Sequence, residues 1–248
     1  MANSKNITSG DANILVVGDS GTRKTRFFTT FPPGTVEVAD FDKGMASTKG
    51  SDIEYETFKE AASGQPITEW EKKIGIYASG TAWPAFIQWI NQIGARIDKG
   101  KGPKVIGFDS LSFLSMIAMS KILKDNSWAV PNQGAYGAQQ EYLKKILNQV
   151  TAWPVRLVCT AHIKRDDNLV TGVPEKLPLL TGQLAGFISA FFDEVYFTDV
   201  VREANKEDKI VIRTKATPQM RQAKSRWNVP DGTLLDWAAI SPFLPEKG

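Results

Sequence analysis

Residues 14–26 read Ile-Leu-Val-Val-Gly-Asp-Ser-Gly-Thr-Arg-Lys-Thr-Arg. An apolar run ends at Gly18, and Lys24 and Thr25 follow six and seven positions later. This spacing is that of the phosphate-binding P-loop, G-x-x-x-x-G-K-[ST], in which backbone N–H groups surround phosphate oxygens where a helix begins. Arg23 stands in the place of the motif's last glycine. The letters also fit a plain glycine-rich turn before a helix, but the apolar strand and the Lys-Thr pair favour a nucleotide site.

The motif assigns a role to each residue of the turn. Lys24 is expected to reach the β- and γ-phosphates of ATP, and the Thr25 hydroxyl to hold Mg²⁺. Arg23 is expected to adopt ordinary helical dihedral angles and to point outward, so that nucleotide binding persists and the hydrolysis rate is the property at risk. The predicted nucleotide-binding residues are Gly18, Asp19, Ser20, Gly21, Thr22, Arg23, Lys24 and Thr25.

Composition sets broad limits on the chain. Its 248 residues are 42% hydrophobic and 23% charged, which predicts a single α/β domain. The net charge of +3 does not argue for nucleic acid, although residues 209–226 hold six basic residues and no acidic one. That basic stretch also fits a solvated strand and loop. The single cysteine, Cys159, is expected in the core, and the absence of a signal-like or membrane-spanning apolar segment predicts a cytoplasmic protein.

Strand and helix patterns alternate along the chain, which predicts a mainly parallel central sheet with helices on both faces. Residues 1–12 are expected to form a flexible N-terminus, and residues 227–248 a tail that docks on the core. Residues 125–137 and 164–182 are expected to be loops. In such a sheet the ligand site lies beyond the carboxyl ends of the strands.

Asp109 ends a second apolar strand, Val105-Ile-Gly-Phe-Asp109. A carboxylate in this position can lie beside the P-loop and hold the Mg²⁺ shell together with Thr25. Asp109 or Ser110 also fits the N-cap of the following helix, and the two roles are compatible.

Three further polar residues are predicted at strand ends near the γ-phosphate. Asp42 is the first choice and Asp40 the second for the catalytic carboxylate that orients and deprotonates water, although both also fit a turn. His162, the only histidine, is expected to sense the γ-phosphate, with a merely hydrogen-bonded imidazole as the alternative.

Lys224 and Arg226 have strand-like spacing and are candidates for reaching a neighbouring subunit's γ-phosphate, or for an ordinary basic edge strand.

The order of these segments resembles the RecA-type ATPase core over roughly residues 12 to 220. Residues 18–25 correspond to Walker A, Asp40-Phe-Asp42 to the catalytic-carboxylate position, and residues 105–110 to Walker B. Thr160-Ala-His162-Ile-Lys resembles the phosphate-sensing segment, with His162 in place of the usual glutamine. The resemblance implies that 125–137 and 164–182 are the two DNA-binding loops.

The small size and the Lys-x-Arg at 224–226 resemble the reduced RecA-like ATPases of bacteriophages. This resemblance implies an ATP- and Mg²⁺-dependent recombination or annealing protein that binds single-stranded DNA in the bacterial cytoplasm. It also implies a homo-oligomeric ring or filament with nucleotide at subunit interfaces. Trp128, Tyr136 and Trp227 are candidates for base stacking.

Two other function classes remain open on the sequence. One is a nucleotide-gated regulatory or binding protein that does not remodel DNA. The other is a small-molecule kinase, which requires an acceptor pocket and usually an arginine-bearing lid, a role for which Arg165 is a poor candidate.

Overall fold

The computed structural model describes residues 12–59, 69–74, 81–167, 172–181, 183–202 and 207–245. Most of the predicted N-terminal tail, residues 1–11, lies outside the described residues. The strands are β1 Ile14–Gly18, β2 Val36–Asp40, β3 Glu54–Thr57, β4 Val105–Asp109, β5 Arg156–Asp167, β6 Pro174–Pro178, β7 Glu194–Val201, β8 Lys209–Arg213 and β9 Lys224–Ser225. The helices are α1 Lys24–Phe27, α2 Glu69–Ile74, α3 Ala82–Ile97, α4 Leu111–Asp125, α5 Gln133–Thr151, α6 Leu184–Phe187 and α7 Trp237–Ile240.

The strands form one sheet in the order β3-β2-β4-β5-β1-β7-β8. Every pair from β3 to β7 along this order is parallel, and β8 and β9 pair antiparallel to β7. β5 lies between the P-loop strand β1 and the Asp109 strand β4. The predicted α/β fold with a mainly parallel sheet is therefore confirmed.

Alternating side chains of β1 divide the core between the two faces of the sheet. Leu15 and Val17 pack in the cluster that contains the apolar faces of α3, α4 and α5. Ile14 and Val16 pack in the opposite cluster, with phenylalanines from α1 and its continuation and with residues of the C-terminal segment. Helices thus cover both faces, and Cys159 is buried in the first cluster as expected.

The C-terminal segment lies against the second cluster. The indole of Trp237 stacks on Phe31 with ring centroids 4.4 Å apart, and the Arg156 guanidinium lies 4.6 Å from the same indole. Ile240 and Leu244 are buried beside it. These aromatic and apolar contacts hold residues 227–245 against the domain.

The predicted loop 125–137 is shorter in the structure, because α5 already begins at Gln133. The Asn132 side chain accepts a hydrogen bond from the Ala135 N–H at 2.9 Å and caps the helix. Ala135 then packs with Met119 and neighbouring residues of α4 in a separate small cluster, against which Trp128 and Tyr136 lie half-buried. The glycines at 134 and 137 favoured a loop in the sequence, but the Asn132 cap and the packing against α4 stabilise a helix.

The predicted loop 164–182 is wrong over most of its described length. β5 continues to Asp167, five residues past the end of its pairing with β1, and forms an antiparallel hairpin with β6. Residues 164–167 are four consecutive charged residues and gave no strand signal, since an edge hairpin in solvent needs no apolar pattern. No helix among the described residues has the length and hydropathy to cross a membrane.

Candidate nucleotide and metal site

Gly18 ends β1 against two threonine hydroxyls. A Cβ at Gly18 would lie 2.0 Å from Thr198 Oγ1 and 2.5 Å from Thr22 Oγ1, so only glycine fits. The Thr198 hydroxyl donates to Thr22 Oγ1 at 2.9 Å, and Thr22 donates to the Asp19 carbonyl at 2.8 Å. Gly21 takes φ +80°, a backbone conformation open to glycine. These contacts fold residues 18–24 into a tight turn.

Arg23 does not take the helical dihedral angles expected of it. Its φ of 58° and ψ of 23° place it in the left-handed region, immediately before α1 begins at Lys24. This is the conformation that the motif's glycine supplies without strain, and a side chain there costs roughly 1 kcal/mol. The Arg23 side chain is exposed, so the expected outward direction agrees with the structure.

The Lys24 ammonium lies inside the turn. Nζ donates to the Gly18 carbonyl at 2.9 Å and to the Asp19 carbonyl at 2.8 Å, and only 7% of the residue is exposed. Burial lowers the pKa of Lys24, and the carboxylates of Asp109, Asp42 and Asp19 act in the opposite direction. A cation is therefore held where the motif requires one for phosphate.

Asp109 connects the P-loop to the neighbouring strands. Its Oδ2 accepts a 2.6 Å hydrogen bond from Thr25 Oγ1, and its Oδ1 accepts one from Thr160 of β5. Oxygens of Asp40, Asp42 and Asp109 lie within 4.8 Å of one another. The structure thus brings together both predicted metal ligands and both candidate catalytic carboxylates.

A missing side chain leaves room for an ion in this cluster. A Cβ on Gly44 would lie 2.8 Å from Thr25 Oγ1, 2.8 Å from Asp42 Oδ1 and 3.0 Å from Asp109 Oδ2. The space that a methyl would fill is thus lined by a hydroxyl and two carboxylates, the hard oxygen ligands that Mg²⁺ prefers. The residues fit a magnesium ion held through Thr25 and Asp109.

The two buried carboxyls of the cluster have raised pKa values. Burial, together with the charge of Asp42, raises the pKa of Asp109 to about 6, against the hydrogen bonds from Thr160 and Thr25. Burial also raises the pKa of Asp40. Because the fold favours the neutral form of Asp109, its contribution to stability is present at low pH and is lost as the pH rises through about 6.

Mg²⁺ binding is expected to weaken as the pH falls through about 6, since a proton on Asp109 competes with the cation. At pH 5 the affinity should be about tenfold lower than at pH 7.5, because the carboxyl is mostly protonated one pH unit below its pKa. Calorimetric titration of Mg²⁺ into the protein with a non-hydrolysable ATP analogue, at both pH values, measures this. Equal affinities at the two values would contradict the assignment of Asp109 as a ligand.

Asp40 and Asp42 differ in access to the site. Asp40 is 2% exposed, and its oxygens accept hydrogen bonds from the Gly44 N–H and the Thr57 hydroxyl, each at 3.1 Å. Asp42 lies two residues beyond the end of β2, is half-buried, and lines a cavity of about 480 Å³ with Ser20, Gly21, Arg23, Lys24, Thr25, Arg26, Gly44, Ser47, Asp109, Phe113 and His162. Only Asp42 of these two carboxylates faces the cavity.

His162 lies directly opposite Gly18 in the β1–β5 register. Its Nε2 is 3.4 Å from Asp42 Oδ2, and its backbone N–H donates to Ser112 Oγ at 3.0 Å. The Phe113 ring packs edge-on against the imidazole, with centroids 5.8 Å apart. The histidine is therefore positioned by contacts on three sides and shares the cavity with the P-loop.

Lys224 and Arg226 lie away from this cavity. Lys224 pairs with Val195 at the amino end of β7, whereas the P-loop follows the carboxyl end of the adjacent β1. Arg226 lies just beyond β9, and its guanidinium is 2.6 Å from Asp193 Oδ1. Both side chains are exposed, so within one subunit they do not contribute to the site.

Sequence reasoning missed several residues that shape the site. Gly44 had no motif to mark it, and Thr160 and Thr198 reach the site only through strand pairing. Arg165 was dismissed as a kinase lid residue, yet its guanidinium lies 2.6 Å from Asp19 Oδ2 of the P-loop. The Asp-Lys-Gly run at 42–44 was a weak local signal, since glycine after a carboxylate often marks a tight turn.

The site falls within a stretch that matches a known family of domains. The family model described as an AAA domain matches residues 11–227, which include every residue of the cavity. The chain belongs to this family. As an AAA domain, it is a nucleotide-binding protein of the P-loop ATPase class, and the sequence prediction is confirmed at that level. Comparison with curated proteins gave no significant match.

The AAA domain assignment is coarser than the resemblance drawn from the sequence. It agrees with ATP as the nucleotide and with Mg²⁺ as the usual partner ion of such sites. DNA binding, recombination, assembly into rings or filaments and a phage origin stay predictions.

Proposed function

We propose that this AAA domain is a Mg²⁺-dependent ATPase that binds single-stranded DNA and acts in recombination or annealing. The observation that carries the ATPase part is the 2.6 Å hydrogen bond between Thr25 and Asp109, with Asp42 and Lys24 in the same cavity. Four groups required for phosphoryl transfer thus converge from separate parts of the sequence.

In the proposed reaction each side chain has one task. Lys24 neutralises charge on the β- and γ-phosphates, and Thr25 and Asp109 hold Mg²⁺, which supplies further charge neutralisation when bound. Asp42 orients the attacking water and accepts its proton, because its carboxylate faces the cavity while that of Asp40 is turned into the protein. His162, 3.4 Å from Asp42, responds to the γ-phosphate through this carboxylate.

The β5–β6 hairpin is the proposed output of the site. Its strand pairing begins at Ile163, one residue after His162, so a change at the γ-phosphate reaches it along one strand. The hairpin region presents the exposed or half-buried cations Lys164, Lys176 and Arg221. These charges support an interaction with a phosphate backbone. Two of them already have an acidic neighbour: Lys164 lies 2.6 Å from Asp166, and Arg221 lies 3.8 Å from Glu175.

The proposal is tested by measuring ATP hydrolysis with and without single-stranded DNA, on the native chain and on Lys24→Ala. Stimulation of about tenfold by DNA, absent in the variant, is expected. Binding of a labelled oligonucleotide is measured in parallel at several salt concentrations with and without an ATP analogue. DNA-independent hydrolysis together with no oligonucleotide binding at low salt would reject the DNA part and favour a nucleotide-gated regulatory protein.

Assembly into a ring or filament forms part of the same proposal. Lys224 and Arg226 are exposed at the opposite end of the sheet from the P-loop, a position from which they reach a phosphate only in another subunit. Arginine or lysine supplied from a neighbour stabilises transition-state charge in many P-loop ATPases.

A further inference from the structure

The P-loop is contacted from outside by a residue of the β5–β6 hairpin. Arg165 lies three residues beyond His162, where β5 has passed the end of β1, and its guanidinium is 2.6 Å from Asp19 Oδ2. The two side chains are 59% and 45% exposed. An ion pair this exposed is weak, so the guanidinium can exchange Asp19 for a stronger anion.

Asp19 marks the part of the P-loop at which the terminal phosphate is expected. Its carbonyl accepts the 2.8 Å hydrogen bond from Lys24, the cation that contacts the β- and γ-phosphates in P-loop proteins. Asp19 therefore contacts Lys24 through its backbone carbonyl and Arg165 through its side-chain carboxylate. Two cations from different elements meet at one end of the turn.

A second cation lies opposite Arg165 in the hairpin. Arg165 pairs directly with Lys176 of β6, and like charges opposite each other across two strands repel. β6 is held in position by a 2.7 Å hydrogen bond from the Lys176 N–H to the Gln219 carbonyl. Two cations paired across the strands of the hairpin are favourable when an anion lies between or next to them.

We propose that Arg165 is a γ-phosphate ligand supplied in cis, and that Asp19 holds its guanidinium until nucleotide binds. This inference rests on the proposed nucleotide site and adds to it a residue that distinguishes ATP from ADP. The planar guanidinium donates two parallel N–H bonds to phosphate oxygens, which the compact lysine ammonium cannot do. Exchange of Asp19 for phosphate also connects nucleotide binding to the position of the hairpin.

The test compares affinities for a non-hydrolysable ATP analogue and for ADP, measured by calorimetry on Arg165→Ala, Arg165→Lys and Asp19→Asn. Arg165→Ala is expected to weaken analogue binding about tenfold and ADP binding less than twofold. Arg165→Lys should recover only part of the loss. Asp19→Asn, which removes the competing carboxylate, should strengthen analogue binding.

Arg202→Ala is the matched control, because Arg202 forms a similarly exposed pair with Asp208 at 3.5 Å on a different strand end. It should leave both affinities unchanged. Equal losses for ATP analogue and ADP in Arg165→Ala, or no loss in either, would overturn the inference. Lys24→Ala separates the two proposals. If this variant keeps full nucleotide affinity, the proposed nucleotide site is itself wrong. If it loses affinity while Arg165→Ala does not, the nucleotide site stands and only the role proposed for Arg165 is wrong.

Discussion

Replacing Lys24 with alanine is expected to lower ATP turnover by about 100-fold or more. The Lys24 ammonium is buried and donates hydrogen bonds to two P-loop carbonyls. It also interacts electrostatically with three carboxylates, those of Asp109, Asp42 and Asp19. Without it, the carboxylates repel the triphosphate and no buried cation remains among the described residues that line the cavity. Steady-state hydrolysis and analogue binding measure both consequences.

Lys99→Ala provides the control for this substitution. Lys99 follows α3, is exposed, and lies outside the residues of the cavity. Its replacement removes the same charge from the protein, so it corrects for general electrostatic effects. Turnover within threefold of the native value in Lys24→Ala, with normal turnover in Lys99→Ala, would mean that residues 18–25 do not bind the phosphates.

The proximity of the candidate site residues was predictable because each part of the site has a local signature. An apolar strand, a glycine and a Lys-Thr pair at fixed spacing identify the P-loop, and a second apolar strand that ends in a carboxylate identifies Asp109. Parallel strands place their carboxyl ends at one edge, so the distance of 84 residues between Thr25 and Asp109 closes to a hydrogen bond.

What the sequence did not predict depends on contacts between distant residues. Arg23 looked free to take a helical conformation, but the pairing of Thr198 with Thr22 and the Lys24 bonds fix the turn and leave Arg23 in the left-handed region. Residues 164–182 were predicted to be a loop because β6, the strand that pairs with the end of β5 in the described part of the chain, has no apolar pattern of its own. The Asn132 side chain caps the start of α5. The glycines that follow it favoured a loop in the sequence, so this cap was not predicted.

The role of Gly44 has the same origin. Nothing in residues 40–48 alone shows that Thr25 and Asp109 face the Gly44 Cα, since both come from other strands and helices. Space between ligands is a property of the folded structure and leaves no sequence pattern. The role of Gly44 in leaving space between the proposed ligands is therefore visible only in the folded structure.

Gly44→Ala is expected to reduce Mg²⁺-dependent hydrolysis by about 100-fold although none of the proposed ligands is itself replaced. The new methyl would lie 2.8 Å from Thr25 Oγ1, 2.8 Å from Asp42 Oδ1 and 3.0 Å from Asp109 Oδ2, in the space assigned to the ion. Because Gly44 has no positive φ, alanine meets no backbone penalty, and the nearest atoms that its methyl meets are all side-chain oxygens of the site. Hydrolysis is titrated with Mg²⁺, and thermal unfolding is recorded alongside.

Gly137→Ala makes the matching change where it should do no harm. A Cβ at Gly137 meets no atom within 4 Å, and the residue lies in α5, where alanine is the better helix former by about 1 kcal/mol. This variant should hydrolyse ATP normally and unfold at an equal or higher temperature. A Gly44→Ala protein with native Mg²⁺ dependence would show that the ion does not lie between Thr25, Asp42 and Asp109, because a methyl and a hydrated cation cannot share that space.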